Sequence, residues 1–159
     1  MAHANGDTPR SHKVSHSRGF VAIRIIFVYM NREEFEKLVD EGFLAVPEKF
    51  RKRMKNVAIL VEDEPSEEVR KQEGLSDEET LFGYYQGIPE IARGADYGVG
   101  ATLPDTIVIY QKPIIEEAGD NPELVREMVR DTVLHEFAHY LGMNEDEVER
   151  WEVRKKKGK

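Results

Sequence analysis

The 159-residue chain contains no cysteine. That absence excludes disulfide frameworks, thiolate metal sites and cysteine nucleophiles together, so any metal must rest on histidine and carboxylate side chains. Long apolar runs are also missing. The most hydrophobic stretch, residues 20–30, is half the ~20 residues a spanning helix needs and carries Arg24 in its middle, so no membrane span is expected. A secretory signal would need small residues at a cleavage point, but Asn31, Arg32 and Glu33 follow, so a cytoplasmic location is expected. Positive charge is scarce in the body. Residues 1–29 hold Arg10, Lys13, Arg18 and Arg24 against Asp7, and the last six residues hold five bases, which leaves 14 bases and 30 acids in 30–153, a net −16. Such a body repels phosphate backbones and argues against nucleic-acid partners.

These asymmetries divide the chain into a polar basic arm over 1–29, expected to be disordered, one folded domain over 30–153, and a frayed basic tail over 154–159. Met30 stands directly before a well-formed helix start. It is therefore a candidate natural first residue, with 1–29 a candidate non-native or misassigned extension. A monomer is expected.

Within the body, Asn31 and Glu34 approximate a capping box, and Phe35, Leu38, Val39 and Phe43 recur at helical spacing, predicting a helix over 32–45. Pro47 opens a short second helix. Residues 57–61, VAILV, read as a buried strand, and 106–110, TIVIY, as a second strand. Between them, 62–79 carries nine acids and two bases and reads as a solvated loop or loose helix. LFGYY at 81–85 reads as a short strand kinked at its glycine, 93–104 as a mobile loop, and 113–118 as a helical turn. Asn121-Pro122 supplies a cap and a first-turn proline for an apolar-striped helix over 122–141, and Asn144 recaps a last helix.

The long helix contains H-E-x-x-H at 135–139. Residues four apart lie one above the other on a helix face, about 6 Å apart, which lets His135 and His139 reach one tetrahedral zinc. Glu136 lies about 100° around the helix from His135, placed to act as general base and then acid toward zinc-activated water. The other histidines, His3, His12 and His16, all precede residue 30. A third ligand must come from elsewhere. Gly142 can break the helix in a left-handed conformation and turn the chain back, bringing Glu145, or Asp146 if the turn is one residue longer, within reach of the metal.

The blocks FEKLVDEGFLAVPEKFRKRMKNVAILVEDEPS, LFGYYQGIP, LPDTIVIYQKPI and VLHEFAHYLGMNEDEV occur in this order across residues 33–150. Together they resemble the compact zincin-like metallopeptidases of small bacterial proteins, which carry H-E-x-x-H-x-x-G-x-x-D. The resemblance implies an α+β minimal zincin fold, with a small mixed β-sheet packed on the H-E-x-x-H helix and several short helices. It also implies Zn2+ as cofactor and peptide hydrolysis as activity, with a peptide or protein as substrate. Carried over, His135 and His139 match the ligands, Glu136 the catalytic acid/base and Glu145 the third-ligand position, where this chain has Glu in place of Asp.

An oxyanion needs a donor besides the metal, and Tyr84, Tyr85 and Tyr110 are candidates at strand ends. Substrate would add as a strand to an exposed sheet edge, TIVIY or LFGYY. The alternative from another class is a zinc-binding peptide- or protein-interaction module that hydrolyses nothing.

Overall fold

Asn31 opens the first long helix by a reciprocal cap. Its side chain accepts from the Glu34 N–H at 2.9 Å, and Glu34 Oε2 accepts from the Asn31 N–H at 3.0 Å, satisfying two otherwise orphaned donors. The computed structural model describes residues 13–15, 30–94, 97, 103–119 and 121–157. In chain order these form β1 (Lys13–Ser15), α1 (Arg32–Leu44), α2 (Glu48–Arg51), β2 (Val57–Glu62), α3 (Glu67–Gln72), β3 (Glu79–Leu81) and β4 (Gly83–Gln86). A 3-10 turn (Glu90–Ala92), β5 (Asp105–Tyr110), α4 (Gln111–Ala118), α5 (Pro122–Tyr140) and α6 (Glu145–Lys157) follow. The fold is α+β. None of the described helices is long and apolar enough to cross a membrane.

Strand order β2-β5-β4 puts β5 at the centre, parallel to β2 and antiparallel to β4. Alternation then sends side chains to two faces. Tyr85, Ile107 and Ile109 join Phe35, Val39, Val129, Val133 and Phe137 in the main core beneath α1 and α5. Tyr84, Val108 and Tyr110 join Leu81 on the opposite face, covered by Val69 and Leu75 around α3.

Four local expectations are revised and one open alternative is decided. VAILV is an edge strand rather than a buried one, with Leu60 42% exposed, because β5 covers only one of its sides. LFGYY divides at Phe82 into β3 and β4, which belong to different sheets. Of the two readings of 62–79, loop or helix, residues 67–72 take the helical one, capped by Ser66 accepting from the Val69 N–H. Within the arm, Lys13–Ser15 pairs antiparallel with β3, so three residues expected to be disordered form a strand; the rest of 1–29 lies outside the described residues. The tail does not fray at 154: α6 continues to Lys157, consistent with the helix propensity of Lys and Arg. The loop expected over 93–104 lies mostly outside the described residues.

Candidate metal centre

Helix α5 is fixed at both ends. Asn121 Oδ1 accepts from the N–H groups of Glu123 and Leu124 at 3.1 and 3.2 Å, and Pro122 starts the first turn, where its missing N–H costs nothing. At the other end the Met143 N–H reaches Ala138 O at 3.0 Å and the Gly142 N–H reaches His139 O at 2.9 Å, the paired bonds of a Schellman stop. Gly142 has φ 96°, in the left-handed region that side chains disfavour, and a Cβ there would lie 2.4 Å from Ile91 Cγ1. The chain therefore turns sharply and enters α6 three residues later.

That turn places Glu145, the first residue of α6, against the imidazoles. Nε2 of His135 and Nε2 of His139 are 3.1 Å apart, Glu145 Oε1 is 3.5 Å from the first and Glu145 Oε2 is 3.3 Å from the second. Donor atoms about 2.0–2.1 Å from a tetrahedral zinc stand about 3.3–3.4 Å from one another, and the imidazole pair and the nearest carboxylate oxygen of each imidazole lie near that spacing. The triad could hold a metal ion. Asp146, the alternative third donor, is an exposed residue and lies outside this group.

The outer nitrogens agree with that assignment. His135 Nδ1 lies 3.1 Å from Glu152 Oε1, and His139 Nδ1 lies 2.9 Å from Met143 O. An acceptor on each Nδ1 favours the tautomer whose Nε2 lone pair faces inward, the arrangement typical of metal-bound imidazoles. Burial alone would lower the His135 pKa, but hydrogen bonds that the ring donates to Glu145 and Glu152, with the nearby Glu136, outweigh it and push the ring up to about 10. The carboxylates around these rings thus favour positive charge at their centre.

Glu136 is 1% exposed, and its Oε2 has no hydrogen-bond partner. Burial raises its pKa, opposed by the two imidazoles and by a hydrogen bond from the Tyr85 backbone N–H. An orphaned buried carboxylate oxygen beside a three-donor site is what a metal with an open, water-holding position would satisfy. Gly83 makes the approach of β4 possible: a Cβ there would lie 2.7 Å from Thr132 Cγ2 and 2.9 Å from Glu136 Oε1.

Two of the three candidate tyrosine hydroxyls have partners elsewhere. Tyr85 Oη donates to Asp105 Oδ2 at 2.7 Å. Tyr84 and Tyr110 lie on the sheet face away from α5, and Tyr84 Oη accepts from Gln72 Nε2 at 2.8 Å. The hydroxyls of Tyr84 and Tyr85 are thus bonded to groups outside the donor triad. TIVIY, now β5, is paired on both sides and offers no edge. The edge beside Glu136 is β4: Phe82 O accepts from the Tyr110 N–H of β5, whereas the Tyr85 N–H points the other way, to Glu136. Sequence reasoning missed Glu152, although it lies two turns after Glu145 on the same face of α6. It also missed the Tyr85 N–H, a backbone group with no side-chain signal.

The family profile of zincin-like metallopeptidases matches residues 54–154. A conserved hypothetical protein from Thermus thermophilus is similar in structure, with 27% identity over 70% of this chain and 94% of that one and a TM-score of 0.46. No curated protein matches the chain. With a profile match spanning more than half its length and including the whole His135–Glu145 turn, the chain belongs to the zincin-like metallopeptidase family.

Proposed function

We propose that the protein is a zinc-dependent metallopeptidase acting on peptide or protein chains. His135, His139 and Glu145 hold the zinc, and Glu136 is general base and then acid. The observation that carries this reading is the convergence of the two imidazole Nε2 atoms, 3.1 Å apart, on the Glu145 carboxylate, whose Oε2 is 3.3 Å from one and whose Oε1 is 3.5 Å from the other, with an acceptor on each outer imidazole nitrogen. Zinc, when bound, supplies a Lewis acid that polarises a substrate carbonyl and brings the pKa of water toward ~7. Glu136 handles the proton. Its unpartnered Oε2 accepts it from the attacking water, and the pKa raised by burial lets the carboxyl hold it until the departing amine nitrogen takes it. The hydroxyl ends on the acyl carbon, the proton on nitrogen, and Glu136 is again a carboxylate. The Tyr85 N–H fixes the carboxyl during this exchange, and the edge of β4, which no strand among the described residues covers, offers backbone groups to an extended chain by strand addition.

A specific observation favours a second reading, the zinc-binding module without hydrolysis. Glu136 and His139 are each 1% exposed, so a substrate must displace the side chains that cover them. Two measurements separate the readings. Elemental analysis of protein purified without chelator should find one zinc per chain, and unstructured peptides should be cleaved by the zinc-loaded protein and not by its Glu136→Gln variant. Retained zinc and peptide binding with no cleavage by either protein indicates the module. Lack of stoichiometric zinc overturns both.

A further inference from the structure

A second concavity lies along the segment that leaves β4. Lys52, Arg53, Lys55, Glu90, Arg93 and Tyr97 line a cavity of about 660 Å3. Among the described residues of this lining, four cations and one acid invert the balance of the body, where 30 acids face 14 bases. The one acid is already matched: Arg53 Nε and Nη2 meet the two carboxylate oxygens of Glu90 at 3.1 and 2.8 Å. Arg93 is the rigid part of the wall. Its side chain is 9% exposed, it pairs with the buried carboxylate of Asp105, and it donates to the carbonyls of Ile88 and Lys55 at 2.9 and 3.2 Å. Its guanidinium also stacks on the rings of Tyr97 and Tyr140 at 4.0 and 4.7 Å. Arg93 therefore gives shape more than free charge. The charge open to a ligand comes from Lys52 and Lys55 in the turn that follows α2. The Lys52 pair with Glu48 joins two largely exposed groups and holds that ammonium only weakly.

We propose that this cavity is a subsite for a carboxylate-bearing stretch of an extended peptide. The chain path supplies the route. From the open edge of β4, residues 87–93 lead directly to the cavity wall, and Ile91 on the way borders Gly142 in the turn that carries Glu145. Arg93 Nη1 reaches Tyr140 Oη at 3.3 Å, and Tyr140 directly follows His139. A chain laid along β4 past Glu136 and on beyond Gln86 meets these cations next. That the ligand is a peptide rests on the peptidase reading; that it is anionic rests on the cavity. At about 0.15 M salt the Debye length is ~8 Å, so the remote acids of the body are screened from a seated ligand while Lys52 and Lys55 are not. The protein thus selects acidic segments despite its own net charge of −8.

The test uses zinc-loaded Glu136→Gln protein and short fluorescein-labelled peptides of Gln, Ala and Ser, with and without an Asp-rich end, followed by fluorescence anisotropy. The Asp-rich peptide should bind about tenfold more tightly, a range that charge complementarity reaches at contact distance. A Lys52→Glu/Lys55→Glu protein should lose that preference while binding the neutral peptide as before, and a Lys52→Gln/Lys55→Gln protein should fall between. Equal affinity for the two peptides, or a preference that survives the charge reversal, overturns the proposal. If the wild-type protein cleaves neither peptide yet the preference holds, the peptidase reading falls and the subsite stands. If it cleaves both with equal kcat/KM and binds both equally, the reverse is true.

Discussion

Glu152 Oε1 lies 3.1 Å from His135 Nδ1, bridging from α6 to α5 behind the face where the two imidazoles meet. A carboxylate in that position orients the ring and raises the basicity of its inner nitrogen. Glu152→Ala should weaken zinc binding by about 10–100-fold while leaving the fold intact, since the residue is not a ligand. Competition with a chromogenic chelator measures the loss, and far-ultraviolet circular dichroism checks the fold. Glu152→Gln, which can still accept a hydrogen bond, should lose less.

At Gly83, β4 lies directly against Thr132 and Glu136 of α5. Adding a methyl group there forces Thr132 and Glu136 to move, because both would lie under 3 Å from it. Gly83→Ala should destabilise the protein by about 1–3 kcal/mol, the usual cost of overpacking, and should depress peptide hydrolysis by more than that loss explains. Urea unfolding and kcat/KM, measured on the same preparation, separate the two effects. An alanine as stable and as active as the glycine would refute the crowding.

Arg93 and Asp105 form an ion pair with side chains 9% and 4% exposed, and Asp105 also accepts from Tyr85 Oη and Tyr97 Oη at 2.7 Å each. Removing the cation leaves a buried carboxylate without its charge partner. Arg93→Ala should therefore cost about 3–5 kcal/mol, and Arg93→Lys should recover little, since an ammonium cannot reproduce the planar, multiply bonded and ring-stacked guanidinium. Denaturant unfolding of the two variants provides the comparison.

Tyr84, Tyr85 and Tyr110 are neutral phenols buried in the fold, and burial pushes each pKa upward, that of Tyr84 to about 12. Groups with a raised folded-state pKa stabilise the native state fully below the unfolded value of about 10 and lose that contribution as pH rises toward the folded value. Phenolate absorbance should accordingly stay below the full complement of six tyrosines at pH values just above 10, and the remainder should appear together with loss of circular dichroism. Complete ionisation in still-folded protein would refute the assignment.

What sequence made legible were features encoded within a few turns of chain. The fourfold spacing of His135 and His139, the stop at Gly142 and the carboxylate six residues past His139 are local, and the structure brings those three donors together. The caps at Asn31 and Asn121 are local too. What stayed hidden depends on where distant segments meet. VAILV reads as buried because its residues are apolar, yet strand order puts it at an edge. Tyr85 contributes to Glu136 through a backbone N–H, identical in every residue but proline. Lys13–Ser15 pairs with residues more than sixty positions later, and nothing in its composition announces a strand.

The three donor side chains lie within eleven consecutive residues, 135–145, whereas the groups that shape Glu136 come from β4, fifty residues earlier. Closing so short a loop around an ion costs little chain entropy, so ion capture asks little of the rest of the molecule. Mutational drift in β4 would then disable turnover and leave the ion in place. Within one lineage, an active hydrolase and a silent ion carrier could differ by no more than a methyl group on that strand.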